Sequence, residues 1–347
     1  MAKLIMVFRV LIVLGSLYLL SQMTSAYLPV ILALVTSFIL NPLVNKLTGT
    51  RIWPLSITLS RGMSSFIAII FAGFVFLGVI TLIFAPFVRE FQSFVTSLPM
   101  LALKLQEFAA LLEHEANSFN LPANLQSIVD QSMAGIAAYA ASVAKAALNV
   151  TIGLATKIVE LVVVPVLTFY FLRDWQQLRD CALAALPPDS RLSGKRIVDE
   201  MSHVISGYIR GQVTLSLIIG GLVFSGMYFL SVDYPLVLGL LATITETIPI
   251  IGPLVGAAPA VVLAYLANPA LAVKVIVFYI IIHQLENHIL VPNIMGHTID
   301  LHPVTVIISL LVSGELFGLV GMLLAVPVVA LFKVLLKHIW FHDCESR

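Results

Sequence analysis

Two glutamates lie in stretches too apolar to hold a charge cheaply, and each sits beside residues that break helices. Glu246 falls within Thr245-Glu246-Thr247-Ile248-Pro249-Ile250-Ile251-Gly252-Pro253, in the middle of an apolar run from Pro235 to Leu266. Glu315 falls within Ser313-Gly314-Glu315-Leu316-Phe317-Gly318, in the middle of a second run from Pro303 to Leu336. A carboxylate at the centre of a bilayer costs about 2.5–3.5 kcal/mol even on the lenient insertion scale, so each glutamate needs a partner, a cavity or a proton. Either could carry a proton or hold a cation. Either could also cap the half-helix that follows it, where the helix dipole favours an anion. Between the two runs lies the densest polar cluster of this half of the chain: His283, Gln284, Glu286, Asn287 and His288, followed by Pro292, Asn293, His297 and His302. On a helix His283 and Glu286 share a face with Asn287. The spacing favours the lining of a polar pathway over a metal site, because no two histidines here stand one turn apart as in HExxH.

The elements that hold these residues must be interrupted helices. A straight helix from Pro235 to Leu266 would be about 48 Å long, beyond the hydrocarbon thickness of roughly 30 Å. Pro249 and Pro253 remove backbone donors and clash with the preceding turn, so a break is expected there. The second run has the same grammar. Pro235, Glu246 and Pro259 mark the start, break and second half of one stretch; Pro303, Glu315 and Pro327 mark them in the other. Each break carries a GxxxG pair, Gly252 with Gly256 and Gly314 with Gly318. Irregular backbone at membrane depth is tolerated only where it is buried in protein or lines a cavity. Paired interruptions of this kind point to a transporter's binding site. Glu246, Thr247, Pro249, Gly252, Pro253, Gly314 and Glu315, with His283, Gln284, Glu286 and Asn287, are therefore the expected pathway residues. Whether each stretch is a re-entrant hairpin or a broken full span stays open.

Composition places these stretches in a bilayer. Of 347 residues, 60% are hydrophobic and 11% charged, against about 25% charged in soluble domains. The mean hydropathy of +1.04 says the same. A net charge of +1 provides no basic field for nucleic acid. Cys181 and Cys344 make neither a disulfide framework nor a metal motif. Hydropathy marks about eight spans: Ile5–Leu20, Tyr27–Leu43, Ser64–Phe87, Ile158–Leu172 with Pro165 inside it, Val213–Leu230, Ala272–Leu290 and the two long stretches. The fold class is an all-α membrane protein, and no small-residue cleavage site ends the first run. Residues 1–88 form an N-terminal three-helix segment, 89–150 a polar helical segment, and 151–347 the transport region. Lysines and arginines gather at Lys46, Arg51 and Arg61, again from Arg173 to Arg196, and at Lys333, Lys337 and Arg347. These sides and both termini should be cytoplasmic, and the polar segment extracytoplasmic. Arg173, Asp174, Arg210 and Gln212 fall at predicted span ends and are read as interfacial anchors. Lys157 and Glu160, one turn apart, can pair. No GxxxxGK[ST], GxSxG or dinucleotide fingerprint is present, which disfavours an ATP-driven pump, a membrane hydrolase and any cofactor or metal chemistry.

Several segments in one order resemble a known family. PVLTFYFLRDW from Pro165, SGYIRGQ from Ser206, ITETIPIIGP from Ile244, HQLENHILVPNIMG from His283 and LHPVTVIISLL from Leu301 resemble the autoinducer-2 exporter family of bacterial membrane proteins. The resemblance implies a permease of about eight spans in the plasma membrane, without enzymatic activity, assembled as a homo-oligomer. It links some members to export of the quorum-sensing signal autoinducer-2 and others to sodium or lithium exchange against protons. Three readings follow: a gradient-driven exporter of a small polar solute, a Na+(Li+)/H+ antiporter, and a non-transporting scaffold that binds an envelope partner through residues 89–149. The expected partners are the lipid bilayer, a small polar solute, and protons or sodium as coupling ions, with no nucleic acid.

Overall fold

The computed structural model describes residues 24–49, 51–52, 57–118, 158–184, 187, 191–296 and 301–340. The span expected at Ile5–Leu20, the part of the polar segment beyond Ser118, and Lys157, His297 and Cys344 lie outside the described residues. Helices dominate, as they must where lipid offers the backbone no hydrogen bonds. In chain order they are α1 (Thr24–Leu47), α2 (Arg61–Ser118), α3 (Ile158–Ala184), α4 (Arg191–Phe229), α5 (Pro235–Thr245), α6 (Ile251–Ala267), α7 (Pro269–Leu285), α8 (Val291–Met295) and α9 (Pro303–Trp340). A single π-helical turn, Glu286–Leu290, joins α7 to α8. A small antiparallel hairpin, β1 (Arg51–Ile52) with β2 (Ile57–Thr58), closes the link from α1 to α2.

Five helices among the described residues are long and apolar enough to cross a membrane, in α1, α2, α4, α7–α8 and α9. From Phe66 to Phe84, α2 exposes large apolar side chains on nearly every turn, with Phe74 at 70% and Leu82 at 79%. A face of that size is untenable in water and is the surface that lipid covers.

Hydropathy sets where a helix is apolar, not where it ends. The charged stretch between the fourth and fifth predicted spans, read as a loop, is mostly helix: α3 continues to Ala184 and α4 already begins at Arg191. Arginine, lysine, glutamine and leucine are good helix formers when exposed, so the helices run on past the apolar core. Likewise α2 continues unbroken from the third predicted span into the polar segment as far as Ser118.

The described residues group into two compact units, one joining the chain up to Phe74 with the segment ending at Asp199, the other joining the segment from Val75 with everything from Glu200 on. In the first, α1 packs along α3 around Leu40, Val44, Ala68 and Leu172. Arg61 ties this packing together, donating to the Leu172 carbonyl at 2.8 Å and reaching Asn41 at 3.3 Å. In the second, one face of α4, with Leu215, Ile219, Val223 and Met227 at successive turns, packs with Val237, Leu238 and Ala242 of α5, Leu263 of α6 and Val275 of α7.

Both apolar stretches of the second unit fold back on themselves. The Cα of Ala242 would lie 3.4 Å from a Cβ at Gly256, although 14 residues of straight helix would separate them by about 21 Å. Thus α5 and α6 form a tight helical hairpin. In α9 the chain turns at Gly318, whose φ of 59° and ψ of −141° are open to glycine alone. Leu310 and Val306 before the turn pack on Met322, Leu323 and Ala325 after it. The two turning residues, Ile250 and Gly318, stand equally far beyond their opening prolines, Pro235 and Pro303. The next prolines, Pro259 and Pro327, are again equally far on. Ile248 of the first turn packs against Leu310 and Ala325, so the two hairpins touch.

Candidate functional site

The first break builds the site. At the end of α5 the backbone tightens: Thr247 N donates to Ile244 O and Ile248 N to Thr245 O. Thr247 Oγ1 takes a further bond to Ile244 O at 2.6 Å. Pro249 has no N–H to continue the ladder. The chain reverses at Ile250, where φ is 68° and ψ is −51°, and Ile251 N donates back to Pro249 O at 2.8 Å. This is a γ-turn of the rare, strained hand. A β-branched residue there costs on the order of 1–2 kcal/mol. A Cβ at Gly252 would collide with the Thr245 carbonyl, so only glycine lets the second half-helix return this closely.

Glu246, at the head of this turn, is 2% exposed. From α4, Gln212 Nε2 donates to its backbone carbonyl at 2.5 Å. Its carboxyl neighbours that of Glu286, and both line the same cavity. Glu286 opens the π turn after α7 and is itself buried. Such turns recur at functional positions, because they take one side chain out of the regular helical register. Glu286 Oε2 lies 3.4 Å from His283 Nδ1, and the His283 side chain is 53% exposed. Two carboxyl groups side by side can share a single proton, one donating and the other accepting.

The pair faces a cavity of about 310 Å³. Ile219, Leu254, Val261, Ile276 and Ile280 supply apolar walls; Thr245, Glu246, His283, Gln284 and Glu286 supply the polar groups. A volume near 300 Å³ with a few convergent polar groups suits a small solute. Tyr279 also lines it and donates to Gly256 O at 3.4 Å.

Of the residues singled out in the sequence, Glu246, Pro253, His283, Gln284 and Glu286 converge on this cavity. Thr247 and Pro249 shape the turn without lining the cavity, and Gly252 is buried behind it. Asn287 is exposed. Gly314 packs against Met322 inside the second hairpin. Glu315 is exposed and stands apart from the cavity, so the structure does not bring the two lone glutamates together. Among the described residues no three acidic, histidine or cysteine side chains gather as a metal site would require.

Of the expected anchors, Arg173 and Asp174 pair at 2.7 Å, and Arg173 also lies over the rings of Phe169 and Tyr170. The hydrogen bond from Arg173 holds the Asp174 carboxyl below its ordinary range. Arg210 is exposed and bonds to its own helix at Ser206 O. Gln212 is placed differently from a span end. Because α4 begins at Arg191 and not near Val213, Gln212 is interior to the helix, buried and bound to the break.

Sequence reasoning also missed Glu90 of α2. Its Oε2 accepts from the amides of Leu236 at 2.9 Å and Val237 at 3.3 Å, and so caps α5. Tyr234, beside it, bonds Ser97 at 3.1 Å. A long-range cap leaves no local spacing to read.

The sequence profile described as "AI-2E family transporter" matches residues 5–340. The chain is 29% identical over 322 residues to "Putative transport protein YueF" of Bacillus subtilis, covering 91% of this chain and 85% of that protein. It is 26% identical over 248 residues to "Putative permease PerM" of Escherichia coli, covering 71% of this chain and 70% of that one.

Proposed function

This chain belongs to the AI-2E transporter family and is a multi-pass membrane protein, and on that premise we propose that it is a secondary transporter whose proton-carrying element is the Glu246–Glu286 pair. The observation that carries the proposal is the meeting of two buried carboxyls at the wall of a solute-sized cavity. Charges brought that close cannot both ionise cheaply, and the environment is apolar. A solute or cation that enters the cavity and favours the ionised pair releases the proton; its departure lets the proton return. That reciprocity is what couples a proton gradient to a cargo.

The cargo is a small polar metabolite such as autoinducer-2, exported from the cytoplasm of a bacterial cell across its inner membrane. Both termini lie on the cytoplasmic side, and the protein works as a homo-oligomer. The first hairpin is re-entrant: α5, 11 residues long, spans only about 16 Å. Everted vesicles carrying the protein should accumulate labelled autoinducer-2 when a pH gradient is imposed, and Glu246→Gln should abolish that dependence. Gradient-driven uptake that survives in both Glu246→Gln and Glu286→Gln would exclude the coupling role.

A second reading has the pair itself in its favour: two carboxyls that hold one proton can release it to take Na+ or Li+. Sodium added to energised vesicles would then dissipate the pH gradient, with no autoinducer-2 present.

A further inference from the structure

A buried acid pair that works with protons needs a route to water. Neither carboxyl has one of its own, for Glu246 is 2% exposed and Glu286 is 7% exposed. His283 does. It lies one turn before Glu286, its Nδ1 is 3.4 Å from Glu286 Oε2, and about half of its side chain is open. Gln284 and Thr245 share the cavity wall with it, and two further polar groups nearby are engaged elsewhere. Tyr279, one turn earlier on α7, donates to the Gly256 carbonyl, and the Gln212 amide from α4 donates to the Glu246 carbonyl. The imidazole, Glu286 and Glu246 thus stand together on the wall of one cavity.

We propose that His283 is the proton relay of this site, loading and unloading the acid pair through Glu286. Imidazole is suited to the task because it takes and gives protons near neutral pH and has a nitrogen at each edge. In the loading step the Nδ1–H bond of the imidazolium breaks and an O–H bond forms at Glu286 Oε2. Imidazolium and carboxylate become imidazole and carboxylic acid. Glu286 then passes a proton to the neighbouring Glu246, and the imidazole is reprotonated from water. One proton moves inward, charge balances, and nothing is oxidised or reduced. Unloading runs the same steps backward. The relay rests on the reading of Glu246 and Glu286 as the proton carrier, and it adds the residue that sets how fast that carrier exchanges.

The test needs no cargo. In the purified full-length protein, the carboxylic-acid carbonyl band of the pair is followed by time-resolved infrared spectroscopy after a pH jump. His283→Ala should slow the protonation phase by roughly a hundredfold, the lower end of what a positioned acid–base group contributes. Millimolar imidazole should restore the rate, because the vacated position lines the cavity, and the same ionic strength of sodium chloride should not. An unaltered rate in His283→Ala, or a slowed rate that imidazole does not restore while the thermal midpoint matches the parent, overturns the relay. The acid pair is judged separately: a carbonyl band that persists unaltered in Glu246→Gln removes the carrier itself, whatever His283 does.

Discussion

The two hairpins of the second unit are written in the same proline spacing and end differently. In the first, the turn places Glu246 against Glu286 and under the Gln212 amide, at the edge of a cavity. In the second, the turn at Gly318 leaves Glu315 exposed, away from that cavity. The proline and glycine pattern thus specifies that a helix turns back. It does not specify what the acid at the turn does. That is decided by what the neighbouring helices deliver, and only the first hairpin receives an amide from α4 and a second carboxyl from α7.

Neutralising the two acids in turn should separate the hairpins most strongly. Glu246→Gln should reduce gradient-driven transport in vesicles by roughly a hundredfold, the scale of losing an essential proton-transfer group. Glu315→Gln should stay within about twofold of the parent, because Glu315 does not line the cavity that holds the acid pair. Equal losses in both would make the hairpins functionally equivalent.

The steric similarity is tested next. A Cβ at Gly252 would strike the Thr245 carbonyl, and a Cβ at Gly321 the Ser313 carbonyl, each across the reversal of its own hairpin. Backbone cannot give way as a flexible side chain does, so Gly252→Ala and Gly321→Ala should each destabilise by about 1–3 kcal/mol. Thermal unfolding in detergent reads both. A loss at one position only would mean that just one stretch is a closed hairpin.

The turning residues should respond with opposite signs. Ile250 holds a positive φ that a β-branched side chain resists, so Ile250→Gly should be neutral or should stabilise by up to about 1 kcal/mol. Gly318→Ala should cost about 1–2 kcal/mol, since its φ of 59° with ψ of −141° suits glycine only. If Ile250→Gly raises the unfolding midpoint yet slows transport, the strain at the first turn serves function.

What the sequence made legible follows from range. Pro249, Gly252 and Gly318 act on their own neighbours, so both breaks could be read from spacing. The pairing of His283 with Glu286 was equally local, a shared helical face. Contacts between segments distant in sequence were not legible. Nothing in the pattern around Gln212 says that it meets Glu246, and nothing beside Glu90 says that it caps α5. Helix ends were misplaced wherever charged residues continued a helix beyond its apolar part, as at Arg191. That one misplacement is also why Gln212 read as a span end and not as a buried residue inside a helix.

The smallest contrast concerns how each hairpin starts. The half-helix at Pro235 is capped from another helix by the Glu90 carboxyl, which takes two amides. The half-helix at Pro303 is capped from within by His302, whose Nδ1 accepts from Val304 N at a longer 3.3 Å, in an exposed setting. A charged acceptor at a partly buried N-terminus also gains from the helix dipole, whereas an exposed neutral ring gains little. Glu90→Gln should therefore cost about 1 kcal/mol, and His302→Ala less than about 0.5 kcal/mol. Because the Glu90 carboxylate fixes where α5 begins, its loss should also loosen the approach to Glu246, visible as faster amide hydrogen exchange across residues 235–245. Exchange that rises instead across 303–317 in the same variant would show that the two hairpins move as one body, and the independence assumed in every contrast above would fail with it.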